Sequence, residues 1–572
     1  MKQLLFATVL LLCISANAQS NLPLAIEDPK MDAYLQNRKS ATLSIQINNL
    51  PDSIKKTKIT YTLVCFGSDF QVTKYTHTNA NGFAKIILNQ NFPYQQIWLS
   101  VGDYLYTGAY VNKDLTVIID ADKIKDKDGV FLIGNGVTYS GTDGELNTVI
   151  NKHTLYKREE QNNLNDRLRE LCQSRRKLSV DTFQQKTDSI LQALTKIDNA
   201  FILQYPKYDW AIQNEVASGF YGELCTSYWG DKMPENLFAE INKHKPYFTS
   251  NDGVLFYRYF HTYITSAPDN RAVVFHQNEL MKNYAHYNAE QKAVLDSINY
   301  YNNLPQEEKS KHSSSTTILM QKEFNLFPQE IEAMNINKNI KIIDSLFPQP
   351  KSDVLKTFFL DDGKNEFALV YPEILNSTKT GWCKQLVANE LNEATIKQKS
   401  IDSLLASAKQ LKGSDNFIGK PLETLPFGAA LYQLDSVKNV DDLILNLKSK
   451  FKDKALVIDF WATWCAPCLQ ELPFSKKLHE ANKDLPVEYI YICTNTASNI
   501  NVWKNKIAEL QLPGTHIFMD EKIVSALKSS FNNAGSGFPT YVAIGVDGKL
   551  RTKAIQWMQS LDRAGLKNAT GL

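Results

Sequence analysis

The sequence predicts a multidomain chain with a β-sandwich-like N-terminal domain, a helical middle region and a C-terminal α/β domain. Three changes of pattern carry that reading. From about Ala41 to Ser140, apolar and polar residues alternate, as at Leu43, Ile45 and Ile47 and again at Ile59, Tyr61 and Leu63. Turn residues such as Asn81-Gly82 separate these runs, and a period of two with regular turns belongs to an antiparallel sheet or sandwich. Between Asp143 and Lys412 the apolar residues recur at spacings of three and four, as in LNDRLRELCQSRRKL, which is helical periodicity. Pro206, Pro234, Pro268, Pro305 and Pro348 are expected breaks between helices. Residues Gly413 to Gly428 gather Gly, Pro, Ser and Asn and read as a junction. Beyond them strands and helices alternate.

The expected domain bounds are 1–18 for a leader, 22–142 for the β-rich domain, 143–412 for the helical region and 415–572 for the α/β domain. A length of 572 residues suits several domains at roughly 150 residues each. Within the last domain, Ala455 to Phe460 reads as a buried strand and Ala466 to Asn482 as a helix. Val487 to Cys493 follows as a strand, Ile500 to Leu510 as a helix and Thr515 to Phe518 as a short strand. Lys522 to Phe531 is helical again. Thr540 to Ile544 and Leu550 to Ile555 flank the hairpin turn at Asp547-Gly548. Such an order builds a sheet covered on both faces.

Composition narrows the function. Hydrophobic residues make up 43% and charged residues 22%, ordinary for a globular chain, and the net charge of +2 gives no electrostatic case for nucleic acid. The first residues, MKQLLFATVLLLCISANAQS, combine Lys2, an apolar run from Leu4 to Ile14 and the small-residue site Ala16-Asn17-Ala18. This pattern is that of a secretory signal peptide cut after Ala18. Lipidation at Cys13 is disfavoured because Leu12 stands where a small residue is required. The mature protein is therefore expected to be soluble and exported to the periplasm or cell envelope.

Seven cysteines follow the leader: Cys65, Cys172, Cys225, Cys383, Cys465, Cys468 and Cys493. They are too sparse for a disulfide scaffold, and only Cys465 and Cys468 are close in sequence. In VIDFWATWCAPCLQELP, Cys465 falls between a buried strand and a helix, with Cys468 one turn on. Unsatisfied N–H groups and the positive end of the helix dipole favour a thiolate at the first position. In such Cys-x-x-Cys sites the nucleophile's pKa drops from about 8.5 to roughly 3.5–7.5. Cys465 is thus the expected attacking sulfur and Cys468 the resolving one. Pro467 supplies no N–H and fixes the turn between them.

These residues resemble the active site of thioredoxins, in particular the exported TlpA/ResA-like thiol–disulfide oxidoreductases, and the resemblance covers the C-terminal domain only. It implies a thioredoxin fold there. Trp464 before the first cysteine, the aromatics Phe460 and Trp461, and Pro473 at the helix-kinking position all match. By the same resemblance Asp459 is the buried carboxylate that serves Cys468 as general base. Gly537-Phe538-Pro539-Thr540 resembles the loop whose cis-proline faces the cysteines, so that Phe538 and Pro539, with Trp464, would meet an extended substrate. The family also implies disulfide-bearing protein substrates and a membrane electron donor, with no cofactor. The sequence departs from the family ahead of the active site, where GKPLETLPFG and the Lys-rich NVDDLILNLKSKFKDKA replace its usual opening.

Competing chemistries are weaker. A structural zinc site needs four ligands; no second cysteine pair exists, and His479 and His516 are isolated, so no metal is expected. Cys493, on a strand, reads as a buried apolar residue. Trp210, Tyr221 and Trp229 read as core rather than a ligand cage. The reaction expected is reduction of protein disulfides through Cys-Ala-Pro-Cys. The alternatives are oxidase or isomerase action, or a partner- or glycan-binding protein whose redox domain is subsidiary.

Overall fold

The alternating apolar residues at the start of the described chain do form strands, and their burial follows the alternation. In β1 (Ala41–Asn48), Leu43, Ile45 and Ile47 are buried while the residues between them face out. The computed structural model describes residues 22–51, 56–88, 92–124, 136–266, 276–311, 313–362, 371–411 and 418–572. The proposed leader, with Cys13 and the Ala18 cut, lies outside these residues, as do Pro268 and the first part of the Gly413–Gly428 junction. Among the described residues no helix is long and apolar enough to cross a membrane. Contacts divide the chain into two units. Of the described residues, one takes in those up to 266 with 332–362 and 371–390; the other takes in those of 276–331 and 391–572. The helices of the middle stretch are shared between them, Lys351–Lys356 in the first and Ala289–Asn302 and Ser313–Leu326 in the second.

The first unit holds β1, β2 (Lys58–Val64), β3 (Gln71–His77), β4 (Phe83–Leu88), β5 (Gln95–Val101), β6 (Leu105–Val111), β7 (Asp114–Asp120) and β8 (Val137–Ser140). They make two four-stranded sheets, ordered β4-β1-β7-β8 and β3-β2-β5-β6. The expectation of antiparallel pairing needs one correction: β1 and β7 are parallel, with Leu43 opposite Leu115 and Ile45 opposite Val117. The reason is topological. β2, β3, β5 and β6 are laid into the second sheet before the chain returns beside β1, and such a return need not reverse its direction.

Helices α1 (Gly144–Gln173), α2 (Val180–Ile202), α3 (Asp209–Ser227) and α4 (Asn251–Thr265) belong to the same unit. α3 packs on α4 at Gly222, where a Cβ would make an ordinary contact, 3.4 Å, with the Phe256 Cα. Phe66 anchors an aromatic cluster, with Phe92, Tyr257, Phe358 and Trp382 within 6.2 Å between ring centres. Trp210 stacks on Phe248 as core, whereas Trp229 is partly exposed and donates to the Tyr259 carbonyl.

The second unit is built on one mixed sheet. Its strands are β9 (Lys409–Gln410), β10 (Lys420–Leu425), β11 (Ala429–Leu434), β12 (Ala455–Trp461), β13 (Val487–Thr494), β14 (Gly514–Met519), β15 (Thr540–Ile544) and β16 (Leu550–Thr552). Their order is β16-β15-β12-β13-β14-β11-β10-β9. The described part of the presumed junction is therefore not loop: β10 and β11 form a hairpin closed by Gly428 at φ 88°. The Gly and Pro residues masked it, because the register slips between Pro421 and Glu423 and a bulge accommodates proline. Ahead of β12, α5 (Val440–Lys450) is capped by the Asn439 side chain and buries Leu443 and Leu447. Helices α6 (Ala466–Ala481), α7 (Ile500–Leu510), α8 (Glu521–Ser530) and α9 (Arg563–Thr570) complete the unit.

Candidate active site

β12 is buried along its whole length, and its period of two sends alternate side chains to opposite faces of the sheet. Leu456, Ile458 and Phe460 join one core. Val457 and Trp461 join the other, which also holds Cys465, Cys468 and Leu472. Asp459, between Val457 and Trp461 in this alternation, shares the face of the cysteines. It is 2% exposed, and its Oδ1 has no hydrogen-bond partner.

Cys465 is the N-cap of α6, in extended conformation, and its Sγ accepts the Cys468 N–H at 3.2 Å. A sulfur in this position meets the unsatisfied donors of the helix end, so the local fold itself favours a thiolate. Cys465 and Cys468 are disulfide-bonded, with their Cα atoms 5.3 Å apart. Pro467 lies in the first turn, where its missing N–H costs nothing, and Pro473 lies inside the helix. Trp464 is 49% exposed beside the pair; its indole N–H donates to the Thr496 carbonyl at 2.7 Å and so holds the ring in place.

Opposite these stands the loop before β15. The Phe538–Pro539 peptide is cis, and the Phe538 ring meets Trp464 edge-on at 6.1 Å. The Thr540 hydroxyl donates to the Gly537 carbonyl at 2.7 Å, which tightens the loop.

Burial pushes the Asp459 carboxyl up to about 8, and the nearby Glu471 charge adds to the effect. At neutral pH this group is mostly protonated, with a proton affinity close to that of a thiol. It can therefore exchange a proton with a cysteine near operating pH. Glu471 was not foreseen from sequence. It lies one turn beyond Cys468, is buried, and accepts backbone N–H bonds from Met558 at 2.5 Å and Gln559 at 3.2 Å. The available signal was its position: Cys468, Glu471, Leu472 and Ser475 form the inward stripe of α6, where an acidic residue is out of pattern. Lys528 was also missed. It lies on the buried face of α8, one turn after Val524, yet its ammonium donates to the Ser536 and Gly537 carbonyls behind the loop.

The other cysteines lie in the interior: Cys493 is fully buried on β13, its thiol pushed well up by burial, and Cys65, Cys172, Cys225 and Cys383 are buried. His516 Nε2–H donates to the Leu512 carbonyl, 2.9 Å away, and the ring stacks on Tyr491, while His479 stacks on Tyr489.

Residues 436–569 match the Redoxin family. The chain is 42% identical over 40 residues to the thiol-disulfide oxidoreductase ResA of Bacillus thuringiensis subsp. konkukian, covering 7% of this chain and 23% of that protein. It is 24% identical over 91 residues to a thioredoxin of Streptomyces clavuligerus, covering 16% of this chain and 80% of that one. Among solved structures it is similar to the thioredoxin domain of a thiol-disulfide oxidoreductase from Bacteroides vulgatus. That likeness has 24% identity and a TM-score of 0.18, covering 21% of this chain and 79% of the other. The chain thus spans about a quarter of the ResA proteins it matches. The similarity is confined to the C-terminal part, which is a thioredoxin-like domain of the thiol–disulfide oxidoreductase kind.

Proposed function

We propose that the protein is an exported thiol–disulfide oxidoreductase that reduces disulfides in other proteins. One observation carries this reading: a sulfur capping a helix stands beside a resolving cysteine whose face of the sheet holds a buried, protonatable carboxyl group. In the reduced enzyme, the Cys465 thiolate attacks one sulfur of a substrate disulfide. The substrate's S–S bond breaks as a mixed disulfide forms, and the leaving sulfur takes up a proton. Asp459, in its ionised form, then takes the proton of the Cys468 thiol. The Cys468 thiolate attacks Cys465 Sγ, closing the Cys465–Cys468 disulfide and releasing the second substrate sulfur as a thiolate, which takes up a proton as Asp459 gives up the one it gained. Two electrons have passed from enzyme to substrate, and a dithiol donor must return them.

Pro467 and Pro473 shape the helix that presents the pair, and Trp464, Phe538 and Pro539 form the surface against which an extended substrate strand lies. The leader-like first 18 residues support export, and export in turn implies a membrane electron donor for re-reduction. Ala466-Pro467 between the cysteines stays close to the Gly-Pro of reducing thioredoxins, which favours the reducing direction. The test is the equilibrium reduction potential of the Cys465/Cys468 couple together with insulin reduction by the full chain. A potential near −270 mV with turnover supports a reductase, and one near −120 mV reverses the direction. No exchange with any disulfide refutes the reading.

A further inference from the structure

In the first unit, far from cysteine chemistry in the sequence, β5 and β6 meet α1, α3 and α4 around a cavity of about 290 Å³. Its wall carries charges of both signs that do not touch. Lys157 of α1 makes no hydrogen bond or ion pair within 4 Å among the described residues, and Asp252 of α4 accepts no hydrogen bond there. Both line the cavity with Glu215 of α3. Lys157 and Glu215 are partly buried and Asp252 is exposed at the cavity, so opposite charges held apart around this space leave room for a group that bridges them.

The remaining polar groups are already oriented. Glu215 is fixed by the Ser250 hydroxyl at 2.8 Å and the Tyr110 hydroxyl at 3.3 Å, which leaves further acceptor capacity on the carboxylate. Gln96 and Asn251 have their side-chain oxygens engaged: Gln96 Oε1 accepts the Asn251 N–H at 2.7 Å, and Asn251 Oδ1 accepts from Gln71 at 3.1 Å. Their NH₂ groups stay available as donors on the same wall. Burial pushes Glu215 upward, and the Asp252 charge adds to it, while burial pushes Lys157 downward. A counter-charge in the cavity would oppose each of these shifts. Ile150, Ala211 and Ile212 supply an apolar floor.

We propose that this cavity binds a small zwitterion of the amino-acid kind. Its carboxylate is received by Lys157 and the Gln96 and Asn251 amides, its ammonium by Glu215 and Asp252, and its aliphatic part by the Ile150 and Ile212 floor. The volume limits the ligand to a free amino acid or a dipeptide, which share this chemistry. The site is independent of the redox reading.

Titration calorimetry on the full-length protein tests it, with L-alanine, L-leucine and alanyl-alanine as probes and N-acetyl-alanine and alanine methyl ester as analogues blocked at one charge. Binding of a zwitterionic probe, lost on blocking either end and weakened about tenfold or more in both Lys157→Met and Asp252→Asn, is the expected result. Preference between the free amino acids and the dipeptide identifies the source. Unchanged melting of the two variants shows that lost binding is not lost folding. Absence of binding by all three zwitterions, equal binding of the blocked analogues, or unaltered affinity in a folded Asp252→Asn protein overturns the proposal.

Discussion

The Lys528 ammonium lies 4.5 Å from the centre of the Phe538 ring. It also donates to the two carbonyls before that ring, those of Ser536 and Gly537, so one buried cation ties α8 to the loop that faces the cysteines. Burial pushes its pKa down, and Lys528 is only 6% exposed. A cation held this way positions the loop and does not touch the reacting sulfurs.

Replacing Lys528 with Met should therefore raise KM for a protein disulfide such as insulin. The expected factor is about ten, the scale of a hydrogen bond to a charged group. A small aromatic disulfide, which needs no strand alignment, should be reduced at a rate close to that of the unaltered protein. Lys528→Arg should recover part of the loss. Equal losses on both substrates would mean a general fold defect.

In the proposed mechanism resolution uses the ionised form of Asp459, so the single-turnover rate of mixed-disulfide resolution should rise with pH through about 8 and then level. Asp459→Asn should flatten that rise and slow resolution at neutral pH by about 10²–10⁴, the range of general acid–base catalysis. Glu471→Gln keeps an acceptor for the Met558 and Gln559 N–H groups but removes a charge that raises Asp459, so the inflection should move to lower pH.

The same carboxyl affects stability. Its folded-state pKa, about 8, lies above the unfolded value of about 3.9. The folded state holds a proton that the unfolded chain has released, so this contribution is complete below about pH 4 and is lost as pH rises to about 8. The slope in that window is at most about 1.4 kcal/mol per pH unit. In urea unfolding of the oxidised protein, Asp459→Asn should gain on the unaltered protein between pH 4 and 8 and hold a constant margin above it. A margin independent of pH throughout would show that Asp459 is ionised in the folded state.

The division of labour between the cysteines is open to a trapping experiment. With Cys468→Ser, the Cys465 thiolate still attacks but nothing resolves the mixed disulfide. A covalent adduct with a disulfide-bearing protein should then accumulate and collapse on adding dithiothreitol, as read on non-reducing gels. Cys465→Ser should give none, because Cys468 is 1% exposed and lies behind the helix N-terminus.

How much of this was legible in the sequence follows from how local each signal is. The Cys465 helix start, the bounds of α7 and β15 and the role of Cys493 as a buried residue depend on near neighbours, and short-range pattern gave them. The parallel β1–β7 pair joins residues some seventy positions apart, and period-two alternation is silent on strand direction. β10 carried Pro421 and was hidden by a composition that reads as turn. Glu471 and Lys528 sit on apolar helix faces, where a charged residue looks like noise until the sheet and loop opposite are known. The cavity around Lys157 draws on five elements, so no stretch of sequence announces it.

The first unit contains a buried polar tie that offers a stability test without chemistry. Asp353 is wholly buried. Its Oδ2 accepts from the Thr380 N–H at 2.6 Å, the Thr380 hydroxyl at 2.7 Å and the Lys379 N–H at 3.0 Å, while its Oδ1 lies 2.8 Å from the Lys356 ammonium. Burial alone would raise its pKa, but the Lys356 and Thr380 bonds outweigh that and hold it below the usual carboxylate value. Asp353→Ala leaves the Thr380 and Lys379 donors without the carboxylate and, among the described residues, the Lys356 ammonium with Asp344 and the Ser377 carbonyl. Removing one partner of a buried pair costs about 3–5 kcal/mol. Urea unfolding followed by intrinsic tryptophan fluorescence, to which Trp382 two residues beyond Thr380 contributes, should show that loss. The reduction potential of Cys465/Cys468 should stay unchanged, because the substitution and the disulfide lie in different units. A loss below about 1 kcal/mol would mean that water replaces the carboxylate and that the tie is not sealed from solvent.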